Sequence, residues 1–178
     1  MIKQKMQDAF NKQINEEMYS SYLYLSMAAY FEAVNLGGFS HWMRLQAQEE
    51  MFHAMKFFNH IVERGGEVEL MAIKEPQKKW DSALKVYEDS LKHEQYITAC
   101  INNLMDAAIE AKDYAGQNLL KWFVDEQVEE EDTFTDVLEK LKRIGDNEAL
   151  LLLQDLEMAK RTPSVNPYLK GAAEAEAG

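Results

Sequence analysis

The chain has 178 residues, of which 47% are hydrophobic, together with a single cysteine and a formal net charge of −12 at pH 7. This length suits one domain with a substantial core, and the lone Cys100 excludes an internal disulfide. The acidic excess disfavours nucleic acid as a partner and favours cations. Apolar runs such as 149–153 are far too short to cross a bilayer, so we expect a soluble cytoplasmic protein without a membrane partner.

Hydrophobic periodicity predicts four long helices in chain order. The first helix ends at the Leu36-Gly37-Gly38 joint, and the second ends at Gly65-Gly66. Asp81 is predicted to cap the third helix and Asp113 the fourth, because a side-chain carboxylate can accept from a free amide of the first turn. The approximate ranges are 6–34, 39–64, 82–111 and 114–145.

The joints between these helices predict the topology. Very short joints between the first two and the last two helices indicate antiparallel hairpins. The segment 67–80 is aperiodic and contains Pro76. Fourteen extended residues reach at most about 50 Å, and a helix of about 27 residues is roughly 40 Å long. The segment can therefore run the full length of the molecule, which predicts an all-α four-helix bundle with one long crossover.

A short fifth helix is predicted to begin at Asp146 or Asn147 and to end near Lys160. Its apolar run, 149–153, covers the whole circumference, so the helix needs burial on every side. Burial between subunits predicts an oligomer, and packing on the end of its own bundle is the alternative. We therefore divide the chain into a bundle with its fifth helix, 1–160, and a partly mobile C-terminal tail, 161–178.

Each predicted inward stripe carries a glutamate near its middle, with large apolar residues on both sides. On the third helix the stripe includes Leu84, Leu91, Thr98 and Met105 around its acid. A buried, unpaired carboxylate costs several kcal/mol, and neighbouring carboxylates repel one another. These stripes hold one histidine and no lysine or arginine, so bound cations are the simplest compensation. The acids are Glu17, Glu50, Glu94 and Glu130, and the histidine is His53.

Spacing on the second and fourth helices supports a metal centre. Glu50-x-x-His53 places a carboxylate and an imidazole one turn apart, and Gln127-x-x-Glu130 repeats this geometry. A single glutamate on an apolar stripe is usually a helix-edge residue whose head reaches water. Four such stripes that converge in one bundle favour a di-metal carboxylate site instead.

With these motifs the chain resembles a bacterial or archaeal non-haem ferritin, a ferritin-like fold, over residues 1 to about 168. The resemblance rests on 15–22 (NEEMYSSY), 48–53 (QEEMFH), Glu94 and 126–130 (EQVEE). It implies an iron-storage protein and ferroxidase that oxidises Fe(II) with O2 or H2O2. It also implies a hollow homo-oligomer of 24 subunits that stores Fe(III) mineral.

The resemblance also implies a role for each residue of the centre. The first iron would be held by Glu17, Glu50 and His53, and the second by Glu94 and Glu130, with Glu50 as the bridge. Gln127 resembles a residue that hydrogen-bonds oxygen species or coordinates weakly. The remaining assignments are a third iron site at Glu49, Glu126 and Glu129, which shares Glu130, and a hydrogen-bonding or electron-donating tyrosine at Tyr24.

Several alternatives remain at this point. The acids of the third site could be an ordinary solvated helix face, and Tyr24 could be a packed core residue. A rubrerythrin-like di-iron redox enzyme in a small oligomer is the main functional alternative, although that family usually adds a four-cysteine iron site. Met51 follows Glu50, where bacterioferritins place a haem ligand, but the second Glu-x-x-His of that family is missing, so no haem is expected.

Overall fold

The computed structural model describes residues 1–163, and within them the chain consists of five α-helices and the segments that connect them. The all-α prediction is confirmed. Among these residues, every helix is too short or too polar to cross a lipid bilayer. The helices are α1 (Gln4–Ala33), α2 (Gly37–Glu63), α3 (Ala83–Glu110), α4 (Tyr114–Ile144) and α5 (Glu148–Met158).

Side-chain caps begin three of the helices. The Asp113 carboxylate accepts from the Gly116 amide at 3.2 Å, as predicted, and Asn147 accepts from the Leu150 amide at 3.1 Å. The predicted cap at Asp81 is wrong, because Ser82 has the extended backbone of an N-cap and accepts from the amide of Lys85 at 3.1 Å. Ser82 lies three residues before that amide, which is the spacing that a capping oxygen needs.

The joint between α1 and α2 also differs from the prediction. The turn is made at Asn35, whose φ of 59° lies in the left-handed region, and both glycines belong to the first turn of α2. A Cβ built on Gly38 would lie 1.7 Å from the carbonyl oxygen of Asp155 in α5. The carboxylate of Asp155 accepts from the Phe39 amide at 2.9 Å. Glycine is therefore required so that α5 can pack against the start of α2.

The crossover, residues 64–82, runs along α1 for most of its length. Asn11 in α1 donates to the carbonyl of Glu67, and Ser26, four turns later, donates to the carbonyl of Gln77. At the far end the rings of Trp80 and Tyr30 lie 5.6 Å apart. The crossover thus carries the chain from one end of the bundle to the other, and α3 begins beside the end of α1.

Two apolar clusters fill the bundle above and below its middle. One contains Phe31, Phe39 and Tyr87, and the other contains Phe57 and Phe123, whose rings stack at 4.1 Å. The polar side chains of the four long helices lie between these clusters. Because both ends are closed by large side chains, water reaches this middle layer poorly, and charges there interact strongly.

The fifth helix is only partly covered by its own bundle. Met158 is buried, and Leu151 packs against the apolar cluster that contains Phe31. In contrast, Leu152, Leu153 and Leu156 are 57%, 62% and 64% exposed. These exposed leucines are the side chains that the predicted interface between subunits would bury. Residues 164–178 of the predicted tail lie outside the described residues.

Candidate metal centre

The four predicted acids lie together in the middle layer, one from each long helix. The exposed fractions of Glu17, Glu50, Glu94 and Glu130 are 1%, 2%, 1% and 6%, so none of them reaches solvent as a helix-edge residue would. His53 is equally buried, at 2%. None of the salt bridges within residues 1–163 joins a lysine or arginine to any of these four carboxylates.

The first group that could hold a cation consists of Glu17, Glu50 and His53, whose ligand atoms lie within 4.8 Å of one another. The Nδ1 atom of His53 is 3.3 Å from Oε2 of Glu50. Oε1 of Glu17 accepts from the amide of Gln13 at 3.0 Å, whereas its Oε2 is buried and has no hydrogen-bond partner among the described residues. A buried oxygen in this state is available as a ligand for a cation.

A second group consists of His53, Glu126 and Glu130. The Nε2 atom of His53 is 3.7 Å from Oε1 of Glu126, whose side chain is 27% exposed. The two groups therefore meet at His53, and the second extends towards the outside of the bundle. Oxygen donors with one imidazole form a ligand set that suits labile binding of divalent iron.

Glu94 belongs to neither group within the described residues, although the charges of Glu50 and Glu130 act on it. Its carboxylate accepts from the hydroxyl of Tyr24 and from the amide of Gln127, the latter at 3.2 Å. Tyr24 is fully buried and stacks on Phe134 with 5.6 Å between ring centroids. The predicted tyrosine is thus both a packed core residue and a hydrogen-bond donor to an acid of the centre.

The three acids predicted for a third iron site are not brought together in one group of the described residues. Glu126 joins the second group, while the carboxylate of Glu49 is paired with the guanidinium of Arg161. Glu129 is exposed on α4. The third site therefore stays a prediction.

Burial dominates the electrostatics of the centre. Desolvation, followed by the charge of Glu50, raises the pKa of both Glu17 and Glu130 to about 8, and the same two causes raise the pKa of Glu94 well above its usual value. For His53, burial alone lowers the pKa, but hydrogen bonds to Glu126 and Glu50 and the surrounding negative charge together raise it well above its usual value. The layer therefore retains protons, and a bound cation would take their place.

Sequence reasoning missed two glutamines that support these ligands. The amide of Gln46 donates to Oε1 of Glu50 at 3.0 Å and to both oxygens of Glu130 at 2.9 Å. Gln13 supports Glu17 in a similar way. Each glutamine precedes an acid of its own helix by four residues, so the two side chains share a face. That spacing was visible in the sequence and could have identified both residues.

A cavity of about 380 Å³ lies between α3 and α4 beside the centre. Its lining includes Thr98, Gln127 and Glu131. Gln127 also donates to Glu94, so this one side chain contacts both the cavity and an acid of the buried layer.

The sequence and the fold of this chain are similar to those of known proteins. Residues 7–144 match the family model described as a ferritin-like domain. A bacterial non-heme ferritin of Bacteroides fragilis is 44% identical over 146 residues, which are 82% of this chain and 92% of that protein. One from Staphylococcus aureus is 39% identical over 162 residues, covering 91% and 98%. The solved open-pore ferritin of the archaeon Archaeoglobus fulgidus superposes with a TM-score of 0.90 at 49% identity, covering 91% of this chain and all of that one.

Proposed function

Because this chain belongs to the ferritin family, we propose that it is an iron-storage protein whose subunits oxidise Fe(II) at the buried centre. The observation that carries this proposal is the set of four buried glutamates, one from each long helix, with no lysine or arginine paired to them among residues 1–163. Carboxylates in such surroundings are stable as anions only when cations are bound between them.

We assign the first iron to Glu17, Glu50 and His53, since their ligand atoms already lie within 4.8 Å of one another. Glu50 would bridge to a second iron held by Glu94 and Glu130. The hydrogen bond between Gln127 and Glu94 supports a place for Gln127 beside this second iron. A third iron would use Glu126 and Glu130 together with Glu49 and Glu129.

The reaction balances with two iron ions and one oxidant. Each Fe(II) gives up one electron and becomes Fe(III), and one O2 takes up the two electrons and two protons and leaves as H2O2. With H2O2 as the oxidant, the same two electrons and two protons convert it into two molecules of water. The iron is the substrate, and the protein holds both ions close enough to act on one oxidant molecule.

The residues around the iron control its protons and its release. Glu17 and Glu130, with a pKa of about 8, hold protons at neutral pH and give them up as Fe(II) binds. Burial and the neighbouring acids raise the pKa of Tyr24 well above its usual value, so its hydroxyl stays protonated and donates to Glu94. The ligand set holds a single imidazole beside its carboxylates, and we infer that this set lets the Fe(III) product leave for storage.

We further propose that the subunits form a closed homo-oligomeric shell of 24 copies that encloses the mineral. Three leucines of α5, Leu152, Leu153 and Leu156, are more than half exposed in the single subunit and support this part of the proposal. Several large apolar side chains exposed on one short helix favour an interface over free solvent.

The test follows the oxidation of Fe(II) added aerobically to the purified protein, by ferric absorbance. We expect Glu50→Ala and His53→Ala to slow oxidation severely, while Glu63→Ala, at an exposed position of the same helix, behaves like the wild type. Unchanged rates in both centre variants would refute the assigned site. Mass measurement of the product then separates storage from simple redox catalysis, since a small oligomer without a mineral core would contradict the storage function.

A further inference from the structure

Arg161, just after the end of α5, reaches across to α2 beside the metal centre. Its guanidinium lies 4.1 Å over the ring of Trp42, and its carbonyl oxygen accepts from Nε2 of His41 at 2.9 Å. Nη1 donates to Oε1 of Gln46 at 3.0 Å, and Nη2 donates to the carboxylate of Glu49. The side chain is only 19% exposed, so it is held in place from several directions.

The contact with Gln46 extends to the acids of the centre. The amide nitrogen of Gln46 donates to Glu50 and Glu130, and its oxygen accepts from Arg161. A guanidinium can only donate, so the end of the Gln46 amide that faces Arg161 must be its oxygen, which leaves the NH2 group for the two carboxyl groups. If the amide were turned over, its NH2 group would face the guanidinium and its oxygen would face the carboxylates. Arg161 therefore fixes the one orientation in which Gln46 supports both acids.

The contact with Glu49 places a positive charge on a carboxylate of the proposed third iron site. The side chains of Glu49 and Arg161 are 17% and 19% exposed, so solvent screens their attraction only in part. A cation that uses the Glu49 carboxylate must compete with the guanidinium for the same oxygen atoms. The pair therefore weakens metal binding at the outer side of the centre.

We propose that Arg161 is a positioning residue of the metal centre, which orients Gln46 and withholds Glu49 from the third metal ion. This inference rests on the proposed function, since it concerns the same centre. It links loading of the third site to the position of α5, because Arg161 moves with the end of that helix. Displacement of Arg161 releases Glu49 for metal binding.

The test uses isothermal titration of the assembled, metal-free protein with Zn(II), which reports each class of site without any redox reaction. In Arg161→Ala we expect the weakest class of site to bind about tenfold more tightly or to appear as an additional equivalent. Arg161→Lys keeps the charge near Glu49 and should fall between this variant and the wild type. Lys160→Ala is the matched control, because Lys160 pairs with Glu157 at the surface.

A second substitution separates this role from a purely structural one. In the double variant Arg161→Ala with Glu49→Gln, the gained binding should disappear, although the loss of packing on Trp42 is the same. If Arg161→Ala binds Zn(II) like the wild type, or if the gain survives in the double variant, the inference is overturned. If the wild type itself binds no Zn(II), the proposed function fails and the inference fails with it. The two outcomes for the variants, in contrast, overturn the inference alone and leave the proposed function intact.

Discussion

Glu17→Gln tests the electrostatic account of the centre most directly. Burial raises the pKa of Glu17 to about 8 from an ordinary value of 4.5, so without metal the folded protein holds a proton that the unfolded chain has lost. Between these two values the folded state binds more protons, and the free energy of unfolding must fall as the pH rises. The stabilisation is complete below about pH 4.5 and is lost by about pH 8.

The magnitude follows from the size of this rise. Each pH unit within the window costs about 1.4 kcal/mol per carboxyl, so Glu17 alone contributes a loss on the order of 4 kcal/mol between pH 5 and pH 8. The amide that replaces the carboxyl in this variant has almost the same shape and no proton to lose. We therefore expect the pH dependence of the variant to be shallower by about this amount.

The assay is urea unfolding of chelator-treated protein at several pH values between 5 and 8. The subunit concentration is held constant, because assembly contributes to the apparent stability. Glu63→Gln, on the exposed side of α2, is the control and should retain the wild-type slope. With Zn(II) added, the wild type should have a higher free energy of unfolding than Glu17→Gln, since it gains the larger stabilisation from the metal. Parallel pH profiles for the wild type and Glu17→Gln would refute the reasoning.

Two further predictions concern the hydroxyl at the centre and the leucines of α5. Tyr24→Phe removes the hydrogen-bond donor to Glu94 but keeps the stacking on Phe134. We expect unchanged Zn(II) stoichiometry, a loss of about 1 kcal/mol in the free energy of unfolding by urea and slower Fe(II) oxidation. An unchanged oxidation rate would exclude a role for the hydroxyl in the reaction. Leu153 and Leu156 are exposed in the single subunit, so the double variant Leu153→Glu with Leu156→Glu should still fold. We expect a lower mass of the oligomer by light scattering. Retention of the full mass would show that these leucines lie outside the subunit interface.

The bundle and its buried acids could be predicted from the sequence because both follow from periodicity. Glu17, Glu50 and Glu130 each lie on a stripe of large apolar residues, and the structure buries all three. The four-residue spacing from Gln46 to Glu50 carried similar information, although its meaning depends on Glu130, which comes from another helix.

Other features depend on contacts that no local pattern contains. On α3, the predicted inward stripe includes Leu84, Leu91, Thr98 and Met105, but these side chains are only partly buried. Neighbouring residues such as Ile97 occupy the core instead. Relative to the predicted stripe, α3 is rotated about its own axis by part of a turn. Periodicity does not resolve such a rotation when apolar residues lie on both sides of the stripe. Arg161 falls in the predicted tail, and the sequence does not reveal its role because its partners on α2 lie more than 100 positions earlier in the chain.

The close approach of Gly38 to Asp155 has a consequence for how the chain tolerates substitution. Any side chain at position 38 would overlap the backbone of the fifth helix, so even alanine would push that helix away from the start of α2. Arg161 follows the end of the same helix and contacts Gln46 and Glu49, so the displacement would be transmitted towards the buried acids. A position that has no side chain of its own thus couples the seating of the fifth helix to the middle layer of the bundle.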